Sequence, residues 1–376
     1  MRKERIGKIG YRICAVLAAA VSLWCMGDNL WPVVKENGAA WALRAAGLQA
    51  ATSQEVPQAE ASPAPQKEAV KETEQAIKAI GKVTMSSQDA IEEASNLFDA
   101  LTSEEQAPTP DPERETAAVA ATFMGGGEEI NGFFVKDTSD SGLNLSEEIL
   151  IDPDVHVKRD GSPVVLFYST HTSEAYLQYE SDWYYRDESF RTEEEEKSVV
   201  AVAKRAKDVI EAGGFGVIHD TTRFDETYSG SYQRSMDAMQ ENLLKYPTIQ
   251  ITVDVHRDAF GEEDDGTRYK PVAEVNGENA AQIMIMAGCD LSEDPLFPDW
   301  RENLHLALRL QQKGDLLYPG LFRPLFFAQR NYNMHATHGS LLVEVGTEVN
   351  TQREADYAGE LLGETILAVL NDIAEE

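Results

Sequence analysis

Three short apolar runs, Val164 to Tyr168, Ile249 to Val255 and Leu341 to Val345, each lead into or enclose an ionisable side chain that an apolar interior does not accept alone. The first leads to His171, the second delivers His256, and the third holds Glu344 between Val343 and Val345. Apolar runs this short read as strands buried on both faces. Between the first two, Lys197 to Ala212 carries Val199, Val200, Val202, Ala203, Ala206 and Ile210 at helical spacing and stops at Gly213-Gly214. Phe215 to Ile218 reads as another strand and Ser235 to Lys245 as another helix, with further strands at Ala281 to Ala287 and Ser340 to Val345 and helices at Trp300 to Lys313 and Arg353 to Ile373. The alternation predicts an α/β domain, a mostly parallel sheet flanked by helices, in which ligands gather at the carboxyl ends of strands.

That domain is expected to fill residues 126–376, because the texture changes at Gly125-Gly126-Gly127. Residues 32–125 are rich in Ala, Glu, Gln, Ser and Pro and almost free of aromatic side chains between Trp41 and Phe123, which leaves little from which to build a core. They predict an acidic, flexible, disordered stalk, with one short helix from Gln88 to Leu101. Residues 1–10 are a basic flank containing Arg2, Lys3 and Arg5, and the apolar stretch 11–31 is expected to be an uncleaved transmembrane signal anchor. The basic flank would stay in the cytoplasm and the rest of the chain would be exported. The formal charge of −32 argues against nucleic acid as a partner. Three cysteines, two of them inside the anchor, are no disulfide framework, and Cys289 is expected to be a small core residue.

Two imidazoles and a carboxylate can hold a Zn2+ ion with one coordination position open. His171 and His256 are the first candidates, each at the end of an apolar strand, and Glu174 lies one turn beyond His171 in a His-x-x-Glu arrangement. Period-2 alternation puts Asp254 on the same face as His256, as a supporting partner. Arg257 is a candidate for the oxyanion or for a substrate carboxylate. Burial raises the pKa of a carboxyl such as Glu344 toward the range of a general base.

The words around these residues, Phe167-Tyr168-Ser169-Thr170-His171-Thr172-Ser173-Glu174-Ala175-Tyr176 and Val253-Asp254-Val255-His256-Arg257-Asp258-Ala259, resemble the stage II sporulation protein P family. Asn331-Tyr332-Asn333, Leu342-Val343-Glu344-Val345-Gly346 and Asn350-Thr351 are similar to its C-terminal blocks, in order. The resemblance implies a zinc amidase/carboxypeptidase-like fold and an N-acetylmuramoyl-L-alanine amidase with endopeptidase activity, acting on peptidoglycan at the sporulation septum. It implies Glu344 as the catalytic glutamate, with Arg330, Tyr332 and Asn333 lining the substrate groove. It also implies the stage II sporulation proteins D and M as partners. Related cell-wall amidases place a ligand glutamate at the next helix, so Glu193, Glu194, Glu195 and Glu196 compete with Glu174 for the third ligand. This chain departs from the family at Ser169 and Met334. The rival readings are a zinc carboxypeptidase on free peptides, which needs a basic pocket from Arg257 and Arg330, and a wall-binding scaffold without catalysis.

Overall fold

The computed structural model describes residues 108–375. The segments expected to form the basic flank, the transmembrane anchor, most of the stalk and its short helix lie outside the described residues.

An eight-stranded sheet organises the domain. Its strands are β2 (Glu128–Ile130), β3 (Phe133–Thr138), β5 (Pro163–Tyr168), β7 (Gly216–His219), β8 (Ile251–Asp258), β11 (Ile283–Cys289), β12 (Leu325–Gln329) and β13 (Gly339–Thr347), in the order β2-β3-β12-β11-β13-β8-β5-β7. Here α/β alternation holds, but the parallel sheet has a seam. β13, β8, β5 and β7 run parallel, whereas β11 pairs antiparallel with β13 and heads a second parallel group with β12 and β3. Periodicity cannot show the reversal, because a strand buried on both faces reads the same in either direction.

A four-stranded sheet, β10-β9-β1-β6, lies outside what the apolar runs predict. It contains β1 (Thr116–Thr122), β6 (Trp183–Tyr185), β9 (Arg268–Val275) and β10 (Glu278–Ala281). β9 and β10 form a hairpin through Asn276-Gly277, whose backbones both have positive φ, 54° and 85°. Asn-Gly is the pair that such a two-residue turn favours. β1 corrects the expected domain boundary: residues assigned to a flexible stalk ending at 125 pair with β9 and β6. Thr-Ala-Ala-Val-Ala-Ala-Thr has little apolar bulk, yet Ala117 and Val119 are buried beneath Leu177, Tyr184 and Val349. β4 (Val157–Lys158) pairs with β14 (Ala374–Glu375) at the chain's far end.

Five helices complete the domain: α1 (Leu145–Glu148), α2 (Val199–Ala212), α3 (Ser231–Lys245), α4 (Trp300–Leu317) and α5 (Gln352–Ile373). β5 shows how they cover the sheet. Val165 and Phe167 join the core that includes Val199, Val202 and Ala206 of α2, while Leu166 and Tyr168 pack with Met239 of α3. Side chains alternate across a strand, so the two helices lie on opposite faces. α2 and α5 approach closely because α5 presents glycines: a Cβ on Gly359 would stand 2.5 Å from the Val202 carbonyl oxygen. α5 starts with a capping box in which the Thr351 hydroxyl and the Glu354 carboxylate each accept from the other's backbone N–H. Cys289 is a buried free thiol.

Candidate active site

β5, β8 and β13 end side by side, and their register decides what meets. Tyr168 of β5 is opposite Asp254 of β8, and His256 of β8 is opposite Glu344 of β13. In a parallel pair, residues in register project to the same face. The chain leaves β5 through Ser169-Thr170 and turns at His171, where the Glu174 N–H donates to the His171 carbonyl at 3.0 Å. The tight turn sends Glu174 back toward β8, and its Oε2 lies 3.4 Å from His256 Nδ1 while accepting from the Arg257 N–H at 3.2 Å. The rings of His171 and His256 are 5.3 Å apart and nearly perpendicular.

Asp254 is completely buried and stands on the other side of His256, with Oδ1 2.9 Å from Nε2. That contact lies off the ring's N–H direction, so the nitrogen has no hydrogen bond. Thr170 holds the carboxylate in place, donating from its N–H to Oδ1 at 2.8 Å and from its hydroxyl to Oδ2 at 2.7 Å. Behind Thr170, its hydroxyl meets Ser235 Oγ at 2.8 Å, and Asn333 Nδ2 donates to Ser235 Oγ at 3.0 Å and to the Tyr232 carbonyl at 2.9 Å. Asn333 therefore supports the site through a buried polar chain. Tyr332 is stacked on Tyr232 with centroids 5.4 Å apart, and Tyr232 in turn faces His256 and meets His171 edge-on.

The turn carrying His171 is pinned by Asp225, which no motif in the sequence marks. Its carboxylate accepts from Thr172 Oγ1 at 2.8 Å, from Ser173 Oγ at 2.5 Å and from Arg191 Nη1 at 3.2 Å. Arg191 also reaches Glu174 Oε1 at 3.6 Å. Tyr228 lies flat on the His171 ring at 4.8 Å and lines a neighbouring cleft of about 420 Å³ with Ser173, Arg191, Thr192, Glu193, Arg223 and Asp225. No spacing rule marks Tyr228, Tyr232, Asp225 or Arg191, because they come from loops and α3 and meet the histidines only after folding.

Electrostatics sort the carboxyls. Burial pushes Glu344 up to about 8, reinforced by the negative charges of Asp258 and Glu174 and opposed by His256. Its Oε2 is buried without a hydrogen-bond partner. Burial alone would raise Glu174 as well, but the hydrogen bond and charge of His256, with help from Arg257, pull it down to about 2. Burial lowers His171, and the neighbouring His256 lowers it further, so its neutral form is favoured. Burial acts the same way on His256, yet Asp254 and Glu174 outweigh it and raise that imidazole well above its ordinary value.

Arg257 is not brought to the histidines as a catalytic group. Period 2 turns it to the other side of β8, and its guanidinium donates to the carbonyls of Ala175 and Phe190, both at 2.9 Å. Arg330 donates to the carbonyl of Gln329 at 2.8 Å and is exposed. Neither forms the basic pocket expected of a carboxypeptidase. Glu193 to Glu196 are exposed: Glu193 pairs with Arg223 at 2.9 Å and Glu194 with Lys197 at 2.8 Å. His335 and His338 bond Asn331 and Asp154 instead of reaching the cluster.

No grouping of three or more His, Cys, Asp or Glu side chains among the described residues converges as a metal would require. The imidazoles and carboxylates pair with one another instead. The chemistry of the donor set nevertheless fits zinc, because His171 Nδ1 is a buried nitrogen with no hydrogen-bond partner and Glu174 is held ionised beside Nδ1 of His256.

A sequence profile of stage II sporulation protein P matches residues 40–367. The chain belongs to the stage II sporulation protein P family. The stage II sporulation protein P of Bacillus subtilis (strain 168) is 24% identical over 217 residues, which span 54% of this chain and 50% of that protein. The chain thus spans half the length of this curated family member. Among solved structures, it is similar to the N-acetylmuramoyl-L-alanine amidase AmiC2 of Nostoc punctiforme (14% identity, TM-score 0.34, covering 56% of this chain and 99% of that one). It is also similar to the CwlD amidase of Clostridioides difficile, solved with the GerS lipoprotein (11% identity, TM-score 0.34, 56% and 98%). A metallo-carboxypeptidase of Burkholderia cenocepacia matches at 8% identity and TM-score 0.34, covering 57% of this chain and 58% of that one. Likeness this loose carries nothing about chemistry.

Proposed function

We propose that the protein is a membrane-tethered, zinc-dependent peptidoglycan hydrolase that cuts the amide between N-acetylmuramic acid and the L-alanine of the stem peptide. Stem-peptide cross-links are its second target, and septal wall degradation during spore engulfment is its setting. The observation that carries the reading is the meeting of His171, Glu174, His256 and Glu344 at the ends of adjacent parallel strands. Family membership supports it.

His171, Glu174 and His256 would hold the ion. When bound, zinc supplies Lewis acidity to the scissile carbonyl and a nucleophile at neutral pH. Glu344 takes the proton of the attacking water and returns it to the leaving nitrogen, and its elevated pKa suits both transfers. Thr170 fixes Asp254 beside His256, where its charge supports the imidazole. Burial keeps His171 neutral, the form able to offer a lone pair to a metal. The anchor at 11–31 would hold the domain at the outer face of the membrane, where stage II sporulation proteins D and M are the proposed partners.

Mass spectrometry of products released from purified peptidoglycan, by the full chain with zinc and by its His171→Ala variant, tests this. Free stem peptides with intact muramic acid on the glycan, absent from the variant, are expected. Cleaved cross-links alone would replace the amidase with a peptidase, and no product from either protein would leave a wall-binding role.

A further inference from the structure

The cleft beside His171 contains an ion pair for which the catalytic cluster has no use. Arg223 and Arg191 both line it, with side chains 36% and 41% exposed. Their situations differ. Arg191 is committed to the interior, braced between Asp225 at 3.2 Å and Glu174 at 3.6 Å. Arg223 has one direct charge partner, Glu193 at 2.9 Å, and that glutamate side chain is 80% exposed. The more distant Glu226 and Asp225 add only long-range attraction.

An exposed glutamate holding an arginine over a cleft is easily exchanged for another carboxylate, since the released side chain returns to water at little cost. Guanidinium groups favour planar carboxylates, with two parallel N–H donors. The cleft is also joined to the reaction centre: Tyr228 lines it and lies flat on His171. A chain of formal charge −32 repels acidic ligands, so an acidic peptide needs a local cationic contact to dwell here.

We propose that Arg223 is the specificity residue for a free carboxylate on the peptide side of the substrate, and that Glu193 occupies the position of that carboxylate until substrate displaces it. The substrate class is an acidic peptide whose free carboxylate lies within a residue or two of the scissile amide. This proposal rests on the amidase reading above and assigns the peptide to the Arg223 side of His171. Arg191 is a positioning residue that keeps Glu174 and the cleft wall in one arrangement.

The test uses the full chain and two synthetic muramoyl peptides that differ only in whether the second residue's carboxylate is free or amidated. Arg223→Gln is expected to raise KM for the free-carboxylate substrate roughly tenfold, the order of one charge-assisted hydrogen bond, and to leave kcat and the amidated substrate unchanged. Glu193→Gln removes the internal competitor and is expected to lower KM for the free-carboxylate substrate alone. Calorimetric titration of the released acidic peptide against the same proteins reads binding without catalysis, so it stands even if the wild type cuts neither substrate. Equal effects of Arg223→Gln on both substrates, no effect on either, or peptide binding unchanged by the variant would overturn the proposal.

Discussion

Glu344 of β13 and His256 of β8 are register partners in adjacent parallel strands, so an acid and an imidazole lie side by side among the apolar residues Leu342, Val343, Val345, Val253 and Val255. These flanking residues are all at most 2% exposed, and Glu344, itself half-buried, has its Oε2 buried without a hydrogen-bond partner. A carboxyl in that setting holds its proton unless a cation balances it. The pair is thus a proton-holding group beside a charge-bearing one, built by strand register alone.

Glu344→Gln keeps the shape of the side chain and removes its titration. Hydrolysis should fall by about 10²- to 10⁴-fold, the range for losing a general acid–base group. Thermal stability should change little, because a carboxyl that already holds its proton in the folded state is replaced by a neutral group of the same shape. Product release and a melting curve on the same sample check both; full activity in the variant would remove Glu344 from the mechanism.

Asp254→Ala strips His256 of one of its two buried counter-charges and leaves both Thr170 donors without that acceptor. Breaking one side of a buried pair costs about 3–5 kcal/mol. Urea titration should show that loss, and a cost under about 1 kcal/mol would mean the pair contributes little to the fold.

Metal binding should stabilise the folded domain. After treatment with a chelator, added zinc at about 1,000 times its dissociation constant should contribute about 4 kcal/mol, seen as a raised melting temperature. The increase should vanish in a His171→Ala, His256→Ala double variant. An increase that survives in that variant would place the zinc elsewhere.

His219 links stability to pH away from the cluster. Burial, with Lys207 adding to it, lowers its pKa to about 4, whereas an unfolded histidine titrates near about 6.5. The neutral form is favoured in the folded state, so this contribution is fully present above about pH 6.5 and is lost as pH falls through 4. Its size is at most about 3 kcal/mol. Urea midpoints between these pH values should decline less steeply in His219→Gln than in the parent.

Gly346 sits at the bulge that ends the Glu344 segment, at φ +62°, and an added Cβ would lie 2.5 Å from Asn350 Oδ1. Asn350 Oδ1 also accepts from the Thr347 N–H at 2.9 Å. Gly346→Ala should therefore cost about 1–3 kcal/mol and reduce activity together with stability. Comparing the urea midpoint with the hydrolysis rate tests that coupling, and an unaffected rate would show that the bulge does not position Glu344.

The chain's own pattern was enough to place β5, β8 and β13 with the helices around them, and to mark His171, Glu174, His256, Asp254 and Glu344, because ionisable residues stand out against runs buried on both faces. The end of α2 was legible because Gly213-Gly214 is a chemical signature of a helix stop, whereas the capping box at Thr351 was not read from the sequence. For Asn333 the sequence leaves a place in the substrate groove and a supporting role both open, and tertiary structure puts it behind Thr170 as a support. The direction of β11 and the recruitment of β1 depend on pairing with distant strands, and local sequence carries no record of such a choice. Arg257 lies one residue from His256 in sequence, but strand alternation sends it to two backbone carbonyls on the far side. Tyr228, Asp225, Arg191 and Arg223 reached the site from loops whose positions are set only when the sheet and α3 have packed, since a loop's side chains acquire neighbours from the elements that carry it.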